Sequence, residues 1–297
     1  MPDIEDIDKW RKAGKISAQV LEYGRKLIKP GASMLEVSDL IDKKIYELGA
    51  KPAFPSQISC DHIAAHYCAH PDDKTIFENQ VACLDLGAHI DGCIGDNACT
   101  VDLSGQYTDL VKASREALNN AIKILQIGTS LGEIGKTIQE TIESFGFVPI
   151  RNLSGHGLSP YNIHDTPTMP NFDTGDTDEL KKGMIIAIEP FATNGAGMIH
   201  DSGNPTIFSL EEPRPVRSQI ARQILKELAK YEGLPFTTRW LVKKFPAFKV
   251  NFALRELLAV GAVKKYPPLS DKNKGIVTQA ENSFIIDDKV ETITKLE

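Results

Sequence analysis

Residues 81–103 read VACLDLGAHIDGCIGDNACTVDL. Small apolar and β-branched residues alternate along the stretch, and Asp91-Gly92 at its centre is the two-residue signal of a type I′ hairpin. Asp85 and Asp96 interrupt the two arms. Ionised carboxylates are depleted in strands and costly to bury without compensation. With Asp91 and Gly92 as the turn, Ile90 faces Cys93, Gly87 faces Asp96, and Asp85 faces Ala98. Side chains two apart share a face, so Asp85 and Asp96 become diagonal neighbours, about 7 to 8 Å apart at the backbone. Two carboxylates converging in a poorly solvated sheet repel each other, and a divalent cation between them makes both useful as oxygen ligands. A solvated face of an antiparallel sheet accounts for the same acids without metal. The hairpin alone leaves both readings open.

The other residues of the 297-residue chain have the charged and apolar fractions of an ordinary globular protein. No apolar run is long enough to span a bilayer. The first residues, MPDIEDIDKWRK, lack the basic and apolar regions of a secretion signal, so a cytoplasmic protein without membrane attachment is expected. Five cysteines form no CxxC pair, which argues against a disulfide framework or a Cys-rich zinc site. The net charge of −6 is unevenly spread: Glu211 to Ser270 carries twelve Lys or Arg against five Glu. Such a basic segment in an otherwise acidic chain is expected to present its own surface.

Working back from the hairpin, Ile7 to Ile28 reads as a helix with Trp10, Ala13, Ile16, Val20, Gly24 and Leu27 near one face, stopped by Pro30-Gly31. Ser33 and Glu36 form a capping box for a second helix, which Gly49 ends. The pattern then returns. KLIKPGASMLEVSDLIDKKIYELG from Lys26 aligns without a gap on KILQIGTSLGEIGKTIQETIESFG from Lys123, an offset of 97 residues, and Ser130 with Glu133 repeats the box. Two similar halves imply an α/β domain with approximate two-fold internal symmetry, whose natural site is the seam. Further on, helices are expected over about Arg217 to Tyr231, Thr237 to Phe245 and Val250 to Val263, followed by a Lys-Lys-Tyr-Pro-Pro loop. Together they form a helical insertion resembling a winged helix, residues 206–271. The chain returns to a strand in GIVTQAENSFIID.

Three more ligand-type residues sit on apolar or glycine-flanked strands: His156 in LSGHGLS, Glu189 after MIIAI, and Glu281 after IVTQA. With Asp85 and Asp96 they make four carboxylates and one imidazole, too many unpaired acids for a core without metal. An oxygen-rich set with one nitrogen and no thiolate suits Mn, Fe, Co or Zn in a non-structural site. Five such ligands can hold two ions that share a nucleophilic water, and hydrolysis is the implied reaction.

LDLGAHIDGCIGD, SGHG, AIEP and TQAE, in that order, resemble the metal motifs of methionine aminopeptidases and their pita-bread-fold relatives across nearly the whole chain. The resemblance implies a pita-bread metallopeptidase domain over 1–205 and 272–297, the insertion being the mark of the type II enzymes. It implies that Asp85 holds one metal, that Asp96 and Glu281 bridge two, and that His156 and Glu189 hold the other. A bridging hydroxide would attack the scissile carbonyl, with Glu189 shuttling the proton. His66 in IAAHY and His164 in YNIHD match the histidines that contact substrate and stabilise the tetrahedral intermediate, and Phe54 in AFPS matches a wall of the methionine pocket. The expected substrate is the N-terminal methionine of nascent polypeptides ahead of a small second residue. A monomer is expected, with no specific nucleic acid; the ribosome is the one macromolecular partner left open.

Prolidases and X-Pro aminopeptidases share the ligands but carry a separate N-terminal domain, for which the first helix leaves no room. They are the alternative within the same chemistry, and a non-catalytic RNA- or ribosome-binding protein on the same fold is the alternative outside it. One stretch departs from the family. Where relatives commonly read AAHYTP, this chain has AAHYCAHPDDK from Ala64, so His70, Asp72 and Asp73 alter the loop beside the pocket.

Overall fold

The structure is a computed structural model that describes residues 4–296. Its long helices come in two pairs, α1 (Ile4–Leu27) with α2 (Met34–Glu47), and α3 (Thr108–Ile124) with α4 (Leu131–Ser144). Each pair buries one face on a sheet. Val20, Val37 and Ile41 pack on Ile58, Leu84 and Leu86 in the first half, and Leu118, Ile134 and Ile138 pack on Ile186, Ile188 and Phe284 in the second. In the first sheet the Val81–Ile90 strand pairs with Lys51–Pro52, Gln57–Cys60 and Cys93–Asp102. The second runs Glu291–Thr292, Asn282–Ile285, Ile185–Ile188, Ser154–Ser159, Asn162–Pro170. This mixture of helix-covered sheets is the α/β pita-bread fold.

The hairpin has the expected register, Ile90 opposite Cys93, Gly87 opposite Asp96 and Asp85 opposite Ala98. Asp91 (φ 48°) and Gly92 (φ 90°) both adopt the left-handed backbone that a type I′ turn requires. Only glycine fits at 92, because a Cβ there would stand 2.5 Å from the Tyr161 ring. The solvated-face reading does not hold: Asp85 is 9% exposed and Asp96 2%.

The repeat also has structural counterparts. Ser33 and Ser130 each accept the N–H three residues on, from Glu36 and Glu133, and each forms an isolated antiparallel bridge, to Ile76 and Glu179. Gly49 and Gly146 turn with φ of 81° and 82°, and the short strands that follow, Lys51–Pro52 and Val148–Pro149, keep the offset.

The halves are sewn together along one line. Glu281 and Ala98 form an antiparallel bridge, the Glu281 N–H donating to the Ala98 carbonyl at 3.0 Å. Two residues to one side, the Ser283 hydroxyl accepts from the Asp96 N–H (2.9 Å) and donates to its carbonyl (2.7 Å). Two residues to the other, the Thr100 hydroxyl does the same for Gln279, at 2.9 and 2.8 Å. Short hydroxyl side chains thus stand in where backbone partners are too far apart, and the buried polar groups stay paired.

Within 206–271, α5 (Gln219–Leu228), α6 (Thr238–Val242) and α7 (Ala247–Ala259) surround a core of Ile224, Phe236, Leu241, Val250 and Leu257. The Ile207–Leu210 strand pairs with Phe236–Thr237 and with Val263–Tyr266. Three helix limits here differ from expectation: α6 ends at Val242 rather than Phe245, and α7 differs at both ends. Pro246 caps α7 and starts it at Ala247, while Gly261 (φ 69°) reverses the chain, so that Val263, expected to be helical, begins a strand. The Leu269–Asp271 strand pairs with Ile199–Asp201 and Ile63–Ala65 of the main body. Arg239 joins α6 to α2, its guanidinium 2.6 Å from Asp42 and 2.5 Å from Asp39, and the Trp240 indole N–H donates to Asp42 at 2.7 Å.

Candidate metal centre

Every expected ligand faces one cavity. Asp85 and Asp96 come from the hairpin, His156 from the Ser154–Ser159 strand, Glu189 from the turn after Ile185–Ile188, and Glu281 from the seam. One ligand atom from each of Asp96, His156 and Glu281 lies within 4.8 Å of the others. His156 Nε2 stands 3.8 Å from Asp96 Oδ2 and 3.7 Å from Glu189 Oε1. Gly157 is required beside His156, since a Cβ there would meet the Thr166 carbonyl at 2.0 Å.

The electrostatics of the cluster are those of a site built for cations. Burial pushes the Asp85 carboxyl up to about 7. Burial first, and repulsion from the neighbouring acids second, pushes Asp96, Glu189 and Glu281 well above the ordinary carboxylate range. His156 moves the other way, down to about 3, through burial and then His164, so its imidazole is a neutral ligand at physiological pH. Asp85 Oδ1 and Asp96 Oδ1 are buried with no hydrogen-bond partner among the described residues. Such oxygens are costly to bury, and a divalent ion satisfies them. The residues present therefore fit a metal.

The residues expected around substrate line the same cavity. Phe54 is buried in its wall, packed against Gly87, where a Cβ would come within 2.6 Å of the ring. His66 has the uncommon φ of 64°, and its N–H donates to the Gln57 side chain. Burial lowers its imidazole to about 4. His164 lies edge-on to His156 with ring centroids 4.8 Å apart. His70 stays outside the cavity lining, its ring bonded to Asp72 at 2.7 Å, while the Tyr67 hydroxyl ties the buried Asp73 into the same loop at 2.7 Å. Sequence reasoning missed Gln279, whose amide donates to Glu189 at 3.1 Å, and the cavity residues Ile207, Pro235 and Tyr266, which the insertion supplies. Tyr266 stands edge-on to His66 with centroids 5.7 Å apart. Nothing in their local sequence marks these last three as cavity residues.

A pita-bread fold with a buried set of four carboxylates and one imidazole at its seam defines a metallohydrolase. Residues 8–213 match metallopeptidase family M24. The chain is 46% identical over 294 residues to the methionine aminopeptidase of Archaeoglobus fulgidus, covering 98% of this chain and 99% of that one. The chain belongs to metallopeptidase family M24, and within it to the methionine aminopeptidases: it is a hydrolase that removes N-terminal methionine, with divalent metal as cofactor. The solved methionine aminopeptidase of Thermotoga maritima superposes with a TM-score of 0.71 at 26% identity, over 99% of this chain and 98% of that one. A thermophilic Arx1 structure superposes with a TM-score of 0.86 at 17% identity, over 100% and 92%, and shares the fold. The prolidase and non-catalytic alternatives are not favoured. Among the described residues no helix is long and apolar enough to cross a membrane.

Proposed function

We propose that Asp85, Asp96, His156, Glu189 and Glu281 hold two divalent ions, drawn from Co, Mn, Fe or Zn, with Asp96 and Glu281 reaching both. The observation that carries this reading is the buried grouping of Asp96, His156 and Glu281 at the cavity, with Asp85 and Glu189 beside it. When bound, the ions supply Lewis acidity and a water acidic enough to attack a peptide near neutral pH. Glu189 holds the proton released on attack and returns it to the leaving amine. His66, neutral because it is buried, offers an N–H to the carbonyl oxygen of the bond being cut, and His164 supports it from the other side. Phe54 walls the methionine side chain. The second residue of the substrate passes His164 and is therefore small.

The test is a comparison of Met-Ala-Ser with acetyl-Met-Ala-Ser, Met-Arg-Ser and Ala-Pro. Free methionine is expected from the first peptide and none from the acetylated one, with Met-Arg-Ser cut far more slowly. Smaller apolar first residues are expected to be cut slowly rather than refused, because a missing methylene is worth only about 1 to 3 kcal/mol of discrimination. A preference for Ala-Pro would move the chain to the prolidase branch. Cleavage of the acetylated peptide would remove the free amine from recognition.

We propose further that 1–205 with 272–297 form the peptidase domain, that 206–271 form an appended one, and that a single chain suffices, since all five ligands come from it. The substrates are nascent polypeptides, met at the ribosome. Supporting this, α7 exposes Phe248 (71%) and Phe252 (58%) beside Lys249 and Arg255, an apolar and basic face that the insertion's own core leaves uncovered.

A further inference from the structure

Gln279 ends the Val277–Gln279 strand, two residues before Glu281. It is 1% exposed, and its backbone is fixed on one side by the Thr100 hydroxyl and on the other by pairing with Phe191. Its side-chain nitrogen donates to Glu189 Oε2 at 3.1 Å, which leaves Glu189 Oε1, the oxygen 3.7 Å from His156, without that bond. Gln279 does not line the cavity and so does not touch substrate.

We propose that Gln279 is a positioning residue that holds one oxygen of Glu189, so that the other is presented to metal. The proposal rests on the ligand set given above. An amide suits the task chemically. It brings two N–H donors and no charge, whereas a lysine would compete with the metal and a glutamate would add a fifth repelling acid. Outer hydrogen bonds of this kind fix the orientation of metal ligands, and their loss typically costs about 10- to 100-fold in metal affinity or activity.

Three variants of the full-length protein test it, with Mn²⁺ titrated calorimetrically into metal-free protein and kinetics measured on Met-Ala-Ser at saturating Mn²⁺. Gln279→Leu is expected to weaken Mn²⁺ binding by about 10- to 100-fold, and to lower kcat with KM within twofold. Gln279→Glu keeps the shape, loses both donors and adds a charge. It is expected to bind Mn²⁺ at least as tightly as the parent and still to show the fall in kcat with KM unchanged. That divergence between the two variants is one that general damage to the fold does not produce. Asp96→Asn serves as the control for the ligand set and is expected to lose bound metal. Mn²⁺ affinity and kcat within twofold of the parent in Gln279→Leu, or an unchanged kcat in Gln279→Glu, would overturn the role of Gln279. Full metal content in Asp96→Asn would instead overturn the ligand assignment.

Discussion

Asp85 and His156 respond to pH in opposite directions, and the difference separates the metal-free protein from the loaded one. Asp85 is raised to about 7 by burial, while in the unfolded chain it ionises near pH 4. Across that interval the unfolded chain binds fewer protons, so the contribution of Asp85 to stability is full below about pH 4 and is lost as pH rises through 7. His156 is lowered to about 3, so its contribution is full above about pH 6.5 and is lost as pH falls towards 3. Above pH 6.5 only the carboxylate effect remains. The metal-free protein is therefore expected to melt at lower temperature at pH 7.5 than at pH 6.5, and its affinity for Mn²⁺ to rise over the same interval as ions displace protons. Calorimetry in buffers of different ionisation enthalpy reads those protons directly. An affinity that stays flat from pH 6.5 to 7.5, with no proton release, would show the acids already ionised.

Among the elements, α7 carries the clearest separation of surface from chemistry. Lys243 and Lys244 are held by Asp39 and Glu227, but Phe248 and Phe252 project from the helix at i and i+4 with Lys249 between them. Phe248→Ser with Phe252→Ser and Lys249→Glu is expected to leave kcat/KM on Met-Ala-Ser within twofold while reducing co-sedimentation with ribosomes. Loss of tripeptide cleavage in a folded triple variant would show that this face is coupled to the cavity. The hairpin was legible in the sequence because its register depends on two adjacent turn residues, and the capped helices because Ser33 and Ser130 act within one turn. The acids of the proposed ligand set were legible as carboxylates misplaced on apolar strands, and His156 as an imidazole between glycines. The seam was not: Thr100 with Gln279 and Asp96 with Ser283 are contacts 179 and 187 residues apart, made by hydroxyls that look like ordinary strand residues. The end of α7 was misread because Gly261, the residue that stops it, lies inside a run whose apolar spacing continues to Val263.

At the scale of the molecule, the insertion is bound to the peptidase body by a buried charge. Arg239 is 2% exposed and faces Asp42, which is buried too. Removing one partner of a buried pair leaves the other uncompensated, at a cost of about 3 to 5 kcal/mol. Arg239→Ala is accordingly expected to lower the unfolding free energy, read from urea denaturation, by that margin. It should also raise KM for Met-Ala-Ser, because Ile207, Pro235 and Tyr266 reach the cavity from the insertion. Mn²⁺ affinity should change little, since no proposed ligand lies in 206–271. A fall in Mn²⁺ affinity as large as the rise in KM would mean that the insertion supports the centre itself. The seam has a further consequence, in the order in which the chain is made. Asp96 leaves the ribosome long before Glu281 exists, so an unfinished copy has one of the two acids proposed to bridge the ions and nothing to close the seam. On the proposed ligand set, peptidase activity therefore waits for the strand that carries Glu281 to close on the hairpin, however early the hairpin itself folds.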